Sequence, residues 1–210
     1  PHDIARTVEA AAERGVTVGA HVGYRDSAGF GRRFMEYAPN ELADEVLYQI
    51  GALEALARKH GTAIRYVKPH GALYNAIVHH EEQSQAVIDG IRAFGGDLAV
   101  MLLPGGIAVH HAEKAGLRVI SEAFADRNYN PDGTLVSRKE PNAVITDPEV
   151  VAARVLQLAD SGTITAIDGT VLNVNATSVC VHGDSPGSVA MTQSIVDRLR
   201  NEGIEIRSVL

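Results

Sequence analysis

Ile64-Arg65-Tyr66-Val67-Lys68-Pro69-His70-Gly71 reads as a short β-strand that ends on a cation and an imidazole. Ile64 to Val67 has the apolar content of a buried strand, and Pro69 and Gly71 stop it by removing a backbone donor and freeing the chain. Residues i and i+2 of an extended segment share a face, so Lys68 and His70 point the same way if the extended geometry persists through Pro69. An isolated K-x-H is usually an ordinary loop with two solvated side chains. Its meaning depends on what flanks it.

Outward from this strand the pattern is repeated β-α-β. Upstream, helical spacing of Ile4, Val8, Ala11 and Ala12 predicts a helix over 3–14, closed by Gly15, followed by a strand over 16–20. A Gly-rich loop over 21–38 leads to Pro39-Asn40, which opens a long helix striped by Leu42, Val46, Ile50, Leu53 and Leu56 and ending near Gly61. Downstream come a helix over 81–94, a strand over 99–103, a Gly-rich turn, a helix over 107–115 and a strand over 117–122. The pattern closes with a helix over 148–160, a hairpin over 164–174 with Asp168-Gly169 at its tip, a strand over 178–181 and a helix over 186–201. Strands alternating with amphipathic helices predict a parallel sheet covered by helices, either open and doubly wound or closed as a barrel.

Both architectures place chemistry at the carboxyl ends of the strands. The loops there are unusually polar. His21 follows the first strand, with Arg25, Asp26, Arg32 and Arg33; Lys68 and His70 follow the second; Glu122, Asp126 and Arg127 close a later one; and His182 and Asp184 follow the last. The strand ending at Leu103 departs from this, since Pro104-Gly105-Gly106 follows. Two chemistries suit the set. His21, His70 and His182 with Glu122 or Asp184 can ligate a divalent metal. Without a metal, Lys68, Arg127 or a loop arginine holds an anion while histidine and a carboxylate move protons. The bland account is that each group satisfies local backbone at a strand end, which is harder to sustain for several loops at once.

Composition narrows the partners. The chain has 210 residues, 45% hydrophobic and 21% charged, which suits one domain over 1–210 with a single large core. A formal net charge of −7 gives no footing for sequence-independent nucleic-acid binding. Cys180 stands alone in a Val-rich strand, so a buried structural thiol and a reducing cytoplasm are expected. No apolar run is long enough to span a bilayer and no basic-then-apolar leader opens the chain, so neither membrane insertion nor export is expected. His79-His80 and His110-His111 read as helix-start and helix-surface residues. Gly105-Gly106 reads as a tight turn rather than an anion cradle, and there is no P-loop motif. The stretch 123–147 is long for an α/β connection and rich in turn formers, which suggests a lid.

Four blocks together carry a family likeness: Gly19-Ala20-His21-Val22-Gly23-Tyr24-Arg25-Asp26 with Gly29-Phe30-Gly31-Arg32-Arg33; Lys68-Pro69-His70-Gly71-Ala72-Leu73-Tyr74-Asn75; Glu122-Ala123-Phe124-Ala125-Asp126-Arg127; and Val181-His182-Gly183-Asp184. In this order and over essentially the whole chain, the sequence resembles the LamB/YcsF family, the A subunits of 5-oxoprolinase. The resemblance implies an irregular seven-stranded β/α barrel of the glycoside hydrolase/deacetylase type. It implies ATP-dependent opening of the lactam 5-oxoproline (pyroglutamate) to L-glutamate in the cytoplasm, with 5-oxoprolinase subunits B and C as partners; a homo-oligomer is compatible with it. An unstrained five-membered lactam is a poor electrophile, and phosphorylating its oxygen would make attack by water easier.

Carried onto this chain, His70, Lys68, His182 and Asp184 are the expected catalytic residues, and His21, Arg127, Asp126, Glu122 and Arg33 the substrate-binding ones, with His21, His70 and His182 as candidate ligands for a divalent metal. The family's D-x-N-x-D-x-G-E strand and A-C-G-x-H-A-G-D block do not occur here, so the barrel is expected to lack its N-terminal strands. Val22 and Arg25 stand where the family commonly has Pro, an expected change of loop stiffness rather than chemistry. Two other functions compete: a metal-dependent amidase or deacetylase that needs no ATP, and a noncatalytic substrate-binding subunit.

Overall fold

The computed structural model describes residues 1–184 and 186–210, which form two compact units, 1–120 with Leu210 and 121–209. The α/β class and the parallel pairing expected from the sequence are both present.

In the first unit, α1 (His2–Glu13) leads into β1 (Val18–Ala20), α2 (Pro39–Lys59), β2 (Ile64–Val67), α3 (Gly71–Ala76), α4 (Glu81–Phe94), β3 (Ala99–Leu102) and α5 (Ile107–Lys114). Strand β1 pairs in parallel with β2 through Gly19↔Tyr66 and Ala20↔Val67, and β2 with β3 through Tyr66↔Ala99 and Val67↔Val100. Connections between parallel strands must cross over, and the helices do this while burying their apolar faces on the sheet. Leu42, Val46 and Ile50 of α2 are fully buried with Val67, Val87, Ile88 and Val100, each such side chain stabilising the fold by about 1.5–3 kcal/mol. The α2 stripe then drifts from the expected line. Glu54 and Ala57 are buried, whereas Leu53 and Leu56 are half-buried. Glu54 accepts from the Ile64 amide at 3.0 Å and from Arg58 at 2.7 Å, so a carboxylate in the stripe caps the start of β2. Likewise α1 buries only Val8, and Ile4 is exposed.

In the second unit, β4 (Arg118–Phe124), whose first residues belong to the first unit, is followed by α6 (Pro148–Ser161), β5 (Thr163–Thr165), β6 (Val171–Asn173), β7 (Ser178–Cys180) and α7 (Ser188–Asn201). Strand β4 pairs in parallel with β7 through Glu122↔Ser178, Ala123↔Val179 and Phe124↔Cys180. Strands β5 and β6 form the expected antiparallel hairpin. Helices α6 and α7 pack on each other through Val151, Val155, Met191, Ile195 and Leu199. Asp147 caps α6 by accepting from the Glu149 amide, Pro148 occupies its first turn and Gly162 closes it in the left-handed region. Cys180 is half-buried, not buried as its Val-rich surroundings suggest.

The excursion expected as a lid is pinned instead. Between β4 and α6, Ala125, Asp126, Arg127, Tyr129, Val136 and Ala143 are buried, and antiparallel bridges join Arg127 to Val144 and Tyr129 to Leu135. A segment whose side chains and backbone are satisfied internally has little reason to swing open.

Candidate functional site

At the carboxyl ends of β1 and β2 the parallel ladder runs past the formal strand ends. The Lys68 amide donates to Ala20 at 2.8 Å and the His70 amide to Val22 at 2.7 Å. Extended geometry therefore survives Pro69, and Lys68 and His70 lie on one face as the i, i+2 spacing predicts. His21 leaves the adjoining strand on the same level. Its Nδ1 donates to the Lys68 carbonyl at 2.9 Å, and its Nε2 lies 3.0 Å from Nδ1 of His70. Nε2 of His70 donates in turn to the Phe30 carbonyl at 2.7 Å.

Glycines make this packing possible. A β-carbon at Gly31, where φ is +66°, would lie 2.7 Å from His70 Cδ2; one at Gly71, φ +56°, would lie 2.5 Å from the Gly31 carbonyl oxygen. L side chains are disfavoured in that backbone region in any case. Phe30 itself sits there, with φ 55° and ψ 34°, a strained conformation for an aromatic residue that turns its carbonyl to His70. The Phe30 ring meets His70 edge-on, and the Arg32 guanidinium lies 5.1 Å from its centroid. From α2, Gln49 reaches the same loop with both ends of its amide: Nε2 donates to the Gly23 carbonyl at 2.8 Å and Oε1 accepts from the Gly23 amide at 2.9 Å.

Asp26 and Arg33, both expected as site residues or neighbours, are joined to each other. Arg33 Nε donates to the Asp26 oxygens at 3.0 and 3.1 Å, its Nη2 makes a further ion pair, and Asp26 also accepts from the Gly29 amide. The Arg33 guanidinium holds the Asp26 carboxyl down at about 2. This pair braces the loop that carries Phe30 and Gly31.

The second unit carries its own cluster. Asp126 is buried, and both its oxygens approach His182 Nδ1, at 2.8 and 2.9 Å, while the His182 amide lies 3.3 Å from Oδ2. Burial pushes the Asp126 carboxyl up, but the hydrogen bonds and charge of His182 outweigh it and leave the group below its ordinary range. The carboxylate can only accept, so it requires the proton on Nδ1, and in a neutral ring Nε2 is then the nitrogen with the lone pair. Phe124 stacks on the imidazole at 5.7 Å. Asp184, the carboxylate expected to serve His182, is exposed in the following turn; the carboxylate on His182 Nδ1 is that of Asp126.

Glu122 is buried within β4. Arg127 is buried too, donating from Nε to Ala143 at 3.2 Å and from Nη2 to Val136 at 2.5 Å, so it ties the excursion together. Sequence reasoning missed Arg154 of α6, which donates to the Arg127 carbonyl, the Asn128 side chain and the Thr165 carbonyl. Tyr129 was missed as well: its hydroxyl accepts from the Phe124 amide at 2.8 Å, and burial holds it neutral. An aromatic among turn formers was the available signal.

Among the described residues no group of three His, Cys, Asp or Glu is arranged to hold a metal ion. At the Gly105-Gly106 turn the Gly106 amide donates to Leu103 and the Ile107 amide to Val78, so these donors are spent on the chain itself rather than offered to a phosphate. A cavity of ≈ 650 Å³ lined by Glu9, Glu13, His60 and Arg65 opens at the amino ends of β1 and β2, away from Lys68 and His70.

Parallel strands joined by helices, with imidazoles, a lysine and carboxylates in the loops that follow them, define a β/α protein. The sequence matches the LamB/YcsF family over residues 1–210, and the chain belongs to that family. It is 67% identical over 209 residues to the 5-oxoprolinase A subunit of Corynebacterium jeikeium, covering 100% of this chain and 81% of that protein. It is 58% identical over 208 residues to the 5-oxoprolinase A subunit of Kocuria rhizophila, covering 99% of this chain and 82% of that protein. The crystal structure of the lactam utilization protein from Thermus thermophilus superimposes with a TM-score of 0.90 at 40% identity, covering 97% of this chain and 81% of that one. No helix among the described residues is long and apolar enough to cross a membrane.

Proposed function

We propose that this chain takes part in opening the lactam ring of 5-oxoproline to give glutamate, as the A subunit of a cytoplasmic, ATP-using 5-oxoprolinase that works with B and C partner subunits. The Asp126–His182 pair carries the proposal. Amide hydrolysis needs a base for water, and an imidazole whose Nδ1 proton is held by a buried carboxylate is built to accept a proton at Nε2. The two relatives, each named as the A subunit of a 5-oxoprolinase, supply the substrate.

In this scheme ATP would pass its terminal phosphoryl group to the lactam oxygen and leave as ADP; His182 takes a proton from water, whose hydroxide adds to the activated ring carbon, the carbon–nitrogen bond breaks as the nitrogen is protonated, and a second water hydrolyses the resulting acyl phosphate to glutamate and inorganic phosphate. In the first unit, Lys68 with the His21 and His70 imidazoles forms a second polar cluster, whose cation suits an anionic group such as a carboxylate. Asp126 and Arg33, assigned to substrate from the sequence, serve here through His182 and the 21–33 loop. ATP enters with the partner subunits. Glutamate formation from 5-oxoproline and ATP, measured with and without those partners, tests the scheme. Turnover that requires this chain and falls at least a hundredfold with His182→Gln is the expected result; full turnover with that variant overturns it.

A further inference from the structure

Phe30 stands in the left-handed region at φ 55° and ψ 34°, a conformation that costs any residue with a β-carbon and suits glycine. The turn around it is closed without its side chain. The Phe30 amide donates to the Ser27 carbonyl at 3.3 Å, Gly31 to Asp26 at 2.9 Å, Arg32 to Gly29 at 3.0 Å and Ala72 to Gly31 at 2.9 Å. The Asp26 carboxylate accepts from the Gly29 amide, and even the bond to His70 Nε2 uses the Phe30 carbonyl. A glycine at position 30 would keep all of these bonds and remove the strain. The phenyl ring is therefore not there to make the turn.

Nor does it fill the core, since Phe30 is 58% exposed. Its ring centroid lies 5.5 Å from that of His70 with the planes at 85°, and the Arg32 guanidinium lies 5.1 Å from it. Phe34, a second exposed ring just beyond, turns instead to Tyr24 and His80. A large apolar surface is thus held in water, against a backbone cost, beside the imidazole that follows β2. Strain kept next to a polar cluster is characteristic of ligand clamps.

Resting on the lactam reading above, we propose that Phe30 is a substrate-binding residue whose exposed ring takes the two ring methylenes of 5-oxoproline. That ligand is a nearly flat five-membered ring, polar along its amide and carboxylate and apolar along C3 and C4. Its polar edge calls for imidazoles and a cation, as stand at the carboxyl ends of β1 and β2. Its apolar edge calls for a hydrocarbon surface next to them, and Phe30 supplies one. Taking two methylenes out of water against an aromatic ring strengthens binding by roughly tenfold. Removing the ring weakens binding without redirecting it to another ligand.

The test uses the whole chain and 5-oxoproline itself. In proton NMR of the bound ligand, upfield shifts of the C3 and C4 methylene protons and cross-relaxation with the Phe30 ring are expected, and both vanish in Phe30→Gly. In the assay with partner subunits, Phe30→Gly raises KM by about tenfold, more than it lowers kcat. Its urea midpoint is no lower than that of the wild type, and Phe30→Leu, which keeps an apolar side chain, recovers part of the KM. An unchanged KM in Phe30→Gly overturns the proposal, as does the absence of cross-relaxation in the wild type. A lowered midpoint in Phe30→Gly overturns it by showing that the ring is structural, and a fall in kcat alone by showing that the ring acts through His70. Ring contacts without glutamate formation by the wild type support the binding role while removing the ring-opening scheme, and full turnover with no contact from Phe30 does the reverse.

Discussion

Asp126 holds both carboxylate oxygens within 2.9 Å of His182 Nδ1. The bond joins residues 56 positions apart and is buried on the aspartate side. Asp126→Asn keeps the shape but removes the charge that stabilises an imidazolium, so turnover falls by roughly 10²- to 10⁴-fold with little change in far-UV circular dichroism. Asp126→Ala also strands the imidazole and costs about 3 kcal/mol in denaturant unfolding. Steady-state kinetics beside urea titrations separates the two, and unaltered kinetics in the asparagine variant would rule out the positioning role.

Gly31→Ala should be costly, because Gly31 is buried within its loop. The new methyl meets a left-handed backbone and the edge of His70 together, and a loss of about 1–2 kcal/mol is expected from the backbone alone. The readout is a lowered urea midpoint together with shifted His70 ring resonances. A midpoint equal to wild type would mean the loop relaxes freely.

Arg154 ties α6 to the 127–128 backbone and to β5. Replacing it with methionine keeps most of the volume but removes those bonds, at about 2 kcal/mol. Hydrogen exchange at 127–130 and 136–144 should speed up several-fold, and unchanged exchange there would show that Arg127 alone pins the excursion.

Acid sensitivity follows from Asp26 and Asp126. Asp26 is lowered from 3.8 to about 2 by Arg33, and Asp126 is also lowered, so each binds protons less readily in the folded protein than in the unfolded chain. Their contribution to stability is complete above about pH 4 and is lost as pH falls from there through the folded values. The melting temperature of Asp26→Asn should therefore change less between about pH 4 and about pH 2 than that of the wild type. Parallel curves would show that the pair adds nothing.

The α/β class, β2, and α4 at its observed bounds were legible because a strand of four residues and a helix of fourteen each show their own period cleanly. Helix α3 was not: six residues begun by a glycine at positive φ are too few to display one. Glu54 was hidden for a different reason. Its partner is the Ile64 amide, ten residues away, and nothing local distinguishes a capping carboxylate from a solvated one. Polar loops announced His21, Lys68, His70, Asp126 and His182 individually. The pairing of His182 with Asp126 rather than Asp184 is a tertiary choice made by the register of β4 against β7.

The close packing of Gly23, Gly31 and Gly71 around His70 also bears on engineering. Gly31 and Gly71 have no room for a side chain and Gly23 has little, so a library that randomises the whole 21–33 segment would spend many of its members on chains that cannot seat the imidazole. Arg25, exposed on the same loop, and Phe34 just beyond it can be varied without entering that space. Altered ligand preference in this protein should therefore be sought at those two positions, with the glycines held constant.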